Sequence, residues 1–127
     1  MGDVHLKEDE SGIVTHTNHF VENRYVDEPP WLTGSSIRLE RAGKLSRQLI
    51  DEGKTITPEL LRDRIFSDTY NAPESICCLG DSTRAQAVRS KTLFNIVMNL
   101  DPQNLWAEVV WGQPGIEEEG RTVYRIP

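Results

Sequence analysis

From Thr92 to Leu100, and again from Leu105 to Trp111, the chain alternates, with Asp101-Pro102-Gln103-Asn104 between the two runs as a turn. Pairing Leu100 with Leu105 across that loop sets Met98 opposite Ala107, Ile96 opposite Val109 and Phe94 opposite Trp111. Every member of that face is apolar. The other face pairs Asn99 with Trp106, Val97 with Glu108 and Asn95 with Val110, a mixture of polar and apolar groups. A slip of one residue would scramble this separation, so the pattern fixes the register. The stretch is expected to be an antiparallel hairpin, and the rest of the fold must be built around a sheet.

Other segments add to it. Ser75 to Leu79 and Thr122 to Ile126 read as further strands, and Val4–Lys7 with Ile13–Thr17 as a hairpin closed by the polar turn Glu8-Asp9-Glu10-Ser11-Gly12. Residues 22–36 carry loop signals, Asp27-Glu28-Pro29-Pro30 and Thr33-Gly34-Ser35-Ser36. A helix is expected after Ser36, with Leu39, Ala42, Leu45 and Leu49 at helical spacing and Gly53 placed to stop it. Gly43 weakens it by about 1 kcal/mol relative to Ala. Thr57-Pro58-Glu59 reads as a cap, a first-turn proline and an acid favoured by the helix dipole. That second helix carries Leu61 and Ile65 and ends near Ser67. The expected class is α+β: an antiparallel sheet with two helices on one face. One domain spans residues 1–127, with a hairpin at 4–19, helices at 36–67 and strands at 75–126.

Composition removes several functions. The net charge is −6, from 20 acidic and 14 basic side chains, and no basic block recurs, so no nucleic-acid partner is expected. Apolar runs are only a few residues long, so no membrane span is expected. Met1-Gly2-Asp3-Val4-His5 does not read as a signal peptide, and Arg125-Ile126-Pro127 is not a peroxisomal address. A cytoplasmic location is the expectation. The two cysteines, Cys77 and Cys78, are adjacent, and neighbouring cysteines close only a strained ring. They are expected to be reduced strand residues, mostly buried.

The stretch Thr15-His16-Thr17-Asn18-His19-Phe20 is the most unusual piece of the chain. As a strand continuation it would send His16 and Asn18 to one face and Thr17 and His19 to the other. The histidines then diverge, and His5 is the third and last in the sequence, so no metal is expected. No nucleophile motif such as Gly-x-Ser-x-Gly stands beside them. Asn18 offers a different chemistry, because an amide N–H can donate to a tetrahedral oxyanion, a role worth about 3–4 kcal/mol of barrier elsewhere.

The segment Val14-Thr15-His16-Thr17-Asn18-His19 resembles the His-Thr-Asn-His segment of the acyl-coenzyme A:6-aminopenicillanic-acid acyltransferases, also called isopenicillin N acyltransferases. These are enzymes of secondary metabolism with an N-terminal-nucleophile hydrolase fold. Ser36, Arg38 and Arg41 fall where that family has a Ser and two Arg opening a helix. Ser75-Ile76-Cys77 and Thr92-Leu93-Phe94-Asn95-Ile96 match further family strands, and order and spacing agree over roughly residues 4–126.

The resemblance implies the C-terminal part of a four-layer αββα fold. It implies a mechanism in which a precursor cuts itself before a Cys, whose thiol becomes the nucleophile and whose new α-amino group acts as base. The thiol takes an acyl group as a thioester and passes it to an amine or water. On this likeness Asn18 is the oxyanion donor, and His16, Thr17 and His19 support its loop. Acyl-coenzyme A would be a co-substrate of the full-length enzyme, and this chain needs no cofactor of its own. The family's nucleophile lies upstream of the segment matched here, and mid-chain Cys77 and Cys78 have no free α-amino group to replace it. The expectation is therefore a segment inactive alone, which joins an N-terminal chain carrying the Cys or associates with itself. The family's Gly-x-Ser-x-Gly element is replaced by Gln86-Ala87-Val88-Arg89-Ser90, so a penicillin nucleus is not implied as acceptor. The alternative is a non-enzymatic interaction module on the same scaffold.

Overall fold

The structure, a computed structural model, describes residues 10–21, 27 and 33–125. The alternation that pins the hairpin reappears as its register. Strand β1 (Phe94–Asn99) pairs antiparallel with β2 (Trp106–Gln113), with Phe94 opposite Trp111, Ile96 opposite Val109 and Met98 opposite Ala107. Asp101 closes the turn, its carbonyl accepting from Asn104 N–H at 2.9 Å and its carboxylate from Gln103 N–H at 3.0 Å. A third strand, β3 (Glu117–Arg125), pairs with β2, giving the order β1-β2-β3. The fold is α+β with an antiparallel sheet.

β3 begins five residues before the Thr122 start expected of it. Pro114-Gly115 makes a tight turn, with Gly115 at φ 72° and Ile116 N–H donating to Gln113 O at 3.0 Å. That turn brings the polar Glu117-Glu118-Glu119 run onto β2 as an exposed edge, where charge is tolerated. A bulge at Trp111/Gly112 sets the geometry there, with Gly112 at φ 82°. Ser75–Leu79, expected as a strand, joins no sheet. Its polar groups find other partners: Cys77 N–H donates to Asp68 O, Cys78 N–H to Thr92 Oγ1, and Ser75 Oγ–H to Cys77 O. Ser75 and Cys77 are nevertheless buried, as befits the apolar reading of this run.

The chain divides into two compact units, Met1–Lys54 and Thr55–Pro127. The first contains α1 (Thr33–Asp51), which starts before Ser36 and so takes the Gly34-Ser35-Ser36 run into its opening turn. Leu45 and Leu49 are buried on it. Gly53, at φ 66°, ends it: Gly53 N–H donates to Ile50 O at 2.8 Å and Lys54 N–H to Leu49 O at 3.0 Å. These two bonds satisfy carbonyls that a helix end leaves open. Of the expected N-terminal hairpin, Val4–Lys7 lies outside the described residues, as does His5. Ile13–Thr17 has no strand partner among the described residues.

The second unit opens with α2 (Pro58–Leu61), capped by Thr57, whose Oγ1 accepts from Leu60 N–H at 3.2 Å. The helix widens into a π-turn over Arg62–Phe66, in which Ile65 is buried. Arg62 Nη1 comes within 4.0 Å of Glu108 Oε1 on β2.

Glu108 belongs to the mixed face of the sheet, and that face is the covered one at β1 and β2: Asn95 is buried and Val110 is 1% exposed. The apolar face is largely bare. Met98 is 59% exposed, Phe94 49%, Trp111 41% and Ile96 40%, and Tyr124 of β3 shares the face at 51%. Among these, Phe94 and Trp111 pack on each other with ring centroids 5.6 Å apart. Val109 alone of the expected apolar pairs is buried.

Candidate functional site

Residues 13–20 form an irregular segment, bent at Asn18 and His19, whose side chains alternate: Ile13, Thr15, Thr17 and His19 are half-buried, while Val14, His16, Asn18 and Phe20 are exposed. The divergence of the two histidines follows from this. The segment is tied to α1 through Ser35, which is only 1% exposed. Ser35 Oγ accepts from Asn18 N–H at 2.7 Å and lies 2.8 Å from His19 Nδ1. Thr17 Oγ1 donates to the Ser35 carbonyl at 2.9 Å and sits 3.2 Å from His19 Nδ1.

Two hydroxyls converge on the His19 ring. Thr17 spends its hydroxyl hydrogen on the Ser35 carbonyl. Ser35 Oγ accepts from Asn18 N–H and pairs with His19 Nδ1. His19 Nδ1 thus braces the loop between the Thr17 and Ser35 hydroxyl oxygens.

Arg38, one turn along α1 from Gly34, completes the cluster. Its Nη2 donates to Asn18 Oδ1 at 2.8 Å and its Nε to Gly34 O at 3.2 Å. With the carbonyl end of the amide so engaged, Nδ2 carries two N–H donors that meet no acceptor among the described residues. Asn18 is exposed, so these donors are accessible. His16 is exposed beside it. Among the described residues no group of three His, Cys, Asp or Glu side chains could hold a metal ion. No helix of the described residues is long and apolar enough to cross a membrane.

Both cysteines are free thiols. Cys77 is fully buried, and burial pushes its thiol above the ordinary range. Cys78 is half-buried, and its Sγ–H donates to Ser90 O at 2.9 Å. A cavity of about 320 Å³ at the end of the β1–β2 pair is lined by Lys91, Thr92, Phe94, Trp111, Gln113 and Glu119, with no residue of the histidine segment.

Of the three residues matched at the start of α1, Arg38 bonds Asn18; Ser36 is exposed and Arg41 half-buried. The residue that sequence reasoning missed is Ser35. Its neighbour Ser36 offered the same side chain, and only the phase of the helix puts one of the two inside. No protein-family model matches the chain, and no curated protein matches it.

Proposed function

We propose that this chain is the C-terminal segment of an N-terminal-cysteine acyltransferase or amide hydrolase, working in the cytosol, and that Asn18 supplies a hydrogen bond to the oxyanion. The observation that carries the reading is Asn18 itself: its backbone is pinned to buried Ser35 while its amide stands at the surface. A donor with a fixed backbone loses little freedom when charge develops beside it, which is what oxyanion stabilisation requires. In the reaction, a thiolate attacks the carbonyl carbon of a thioester or amide, and the carbonyl oxygen takes the charge. Asn18 Nδ2–H donates to that oxygen. Collapse expels the thiol or amine with a proton and leaves an acyl-thioester, which an amine or water then opens to restore the thiol. His16, Thr17 and His19 hold the loop, and acyl-coenzyme A is a fitting acyl donor for the assembled enzyme.

The attacking thiol comes from a separate segment, since Cys77 and Cys78 are occupied as structural groups. The bare apolar face of the sheet supports this, because a second sheet layer would cover it and complete an αββα arrangement. That same face favours the second reading, a non-enzymatic module whose partner or second copy covers it. Mixing the chain with the N-terminal half of a full-length member of the resembled family is expected to restore thioester turnover. Asn18→Ala should then lower kcat by about 100-fold or more. Turnover indifferent to that change removes Asn18 from its role. Alone, the chain is expected to form oligomers in light scattering, and Met98→Lys to shift it toward monomer. Monomers at all concentrations would count against a face in want of cover.

A further inference from the structure

An asparagine amide has two ends of opposite character. Its Nδ2 end stabilises a developing anion, and its Oδ1 end repels one. The two differ by a half-turn about one bond, and an exposed side chain samples both unless something selects between them. We infer that Arg38 is the positioning residue that makes this selection. The inference rests on the oxyanion role proposed for Asn18 and deepens it.

The argument is one of donors and acceptors. A guanidinium has N–H donors and no acceptor, so Arg38 can bond the amide only through its oxygen. Its Nη2 does so, at 2.8 Å from Asn18 Oδ1. The flipped amide would set two donors against each other, and Nδ2 would lose its outward direction. Arg38 is itself fixed at a second point, because its Nε donates to Gly34 O at 3.2 Å on the first turn of the same helix. Its planar fork therefore spans from the helix to the loop, which a lysine ammonium on a flexible stem does not reproduce. Withdrawing electron density through Oδ1 also makes the Nδ2 hydrogens better donors, as in any polarised chain of hydrogen bonds. Arg38 need not touch substrate for any of this. It acts through Asn18.

The site is thus held on two levels. Ser35 fixes where the Asn18 backbone is, and Arg38 fixes which end of its side chain faces out.

The test has two arms on the full chain. In the first, the Asn18 side-chain NH₂ is followed by ¹⁵N relaxation in the wild type, Arg38→Ala and Arg38→Lys, with circular dichroism to confirm that each variant folds. Expected is a rigid amide in the wild type, with an order parameter of about 0.85, falling below about 0.6 in Arg38→Ala while the Asn18 backbone N–H stays rigid. Arg38→Lys should restore rigidity only in part. An Asn18 amide as mobile in the wild type as in Arg38→Ala overturns the selection, whatever the turnover does. In the second arm, in the reconstituted pair, Arg38→Ala should lower kcat about tenfold at unchanged KM, and should add nothing in an Asn18→Ala background. A further tenfold loss in that background would show Arg38 acting independently of Asn18 and overturn the inference. If Asn18→Ala itself leaves turnover intact, the oxyanion reading falls and takes the catalytic consequence with it. The relaxation arm still decides whether Arg38 orients the amide.

Discussion

Two stretches of this chain alternate, one in its cross-strand pairs and one in its burial, and they are held in opposite ways. In the β1–β2 hairpin the alternation belongs to a ladder, and each residue of Phe94–Asn99 faces a partner across the sheet. In Ile13–Phe20 the side chains alternate between half-buried and exposed, yet no strand among the described residues pairs with them. That segment is fastened by side chains instead, through Ser35 and Arg38 on a helix 16 to 20 residues further on. A ladder spreads its hold over many backbone bonds. Among the described bonds, the histidine segment concentrates its hold on Ser35, through its hydroxyl and its carbonyl, and on one guanidinium. Single substitutions should therefore act differently on the two, and the difference is measurable.

The sheet should be most sensitive where its backbone departs from the ladder. Gly112 sits at φ 82° in the bulge, and a Cβ there would be driven into the Glu117 carbonyl and would lie 3.2 Å from Glu119 N. Gly112→Val combines a left-handed conformation that a β-branched residue resists with overlap against backbone that cannot yield. The expected cost is about 2–4 kcal/mol, read from urea unfolding followed by the fluorescence of Trp106 and Trp111. An unchanged midpoint would mean that the bulge does not set the β2–β3 register. In this variant the Asn18 backbone amide should keep its hydrogen-exchange protection while the sheet loses its own.

Ser35→Ala is the reverse experiment. Alanine suits a helix better than serine, so α1 itself should gain slightly. The loss falls on the segment: Asn18 N–H loses its acceptor and His19 Nδ1 its short contact, both at a position that water barely reaches. Removing one partner of a buried hydrogen bond costs about 1–3 kcal/mol. The Asn18 amide should exchange about tenfold faster or more, with sheet amides unaltered. Protection that survives would transfer the anchoring role to Thr17, whose hydroxyl bonds the Ser35 carbonyl.

These two regions also differ in how far the sequence disclosed them. The hairpin register was legible because apolar pairs such as Ile96 and Val109 separate cleanly from mixed pairs such as Val97 and Glu108, and both strands lie close in the chain. Thr57 and Gly53 were legible for a similar reason, since caps act within a few residues. What covers the sheet was not. Apolar pairing suggests a buried face, but Phe94, Ile96 and Met98 stay bare and the side bearing Asn95 and Glu108 is covered. Periodicity separates two faces without saying which one is occupied. Ser75–Leu79 failed as a strand because its apolar run is buried by loop and side-chain bonds, which leave the same composition as a ladder. At the histidine segment, the sequence and its resemblance singled out Asn18. The roles of Ser35 and Arg38 depended on helix phase and on contacts far along the chain, and no spacing rule reaches that distance.

Acid should separate the two regions most gently. Four carboxyls of the Thr55–Pro127 unit are held below their ordinary range. Glu118 is lowered by the Gly115 N–H and then by Arg121, Asp63 by its bond from Arg62, Glu59 by its own backbone N–H and Thr57, and Asp81 by Thr83. Each lowered value means that the folded unit binds fewer protons than the unfolded chain in acid. The stability these groups add is complete above the ordinary carboxylate range, near pH 4–5, and drains away as pH falls through the lowered values. The urea midpoint of the sheet should accordingly be level from about pH 7 to 5 and decline below about 4. Glu118 is the informative member, because it ties the turn before β3 to the strand itself: Gly115 N–H at 2.9 Å and Arg121 Nη2 at 2.8 Å. Arg121 is substantially exposed, so the pair is worth no more than about 1 kcal/mol. Glu118→Gln keeps an acceptor for Gly115 and discards the charge. It should therefore leave the neutral-pH midpoint nearly intact and make the acid decline shallower. A decline just as steep in that variant would place the acid sensitivity at the start of α2 and its π-turn, with Asp63 and Arg62, rather than at the strand edge.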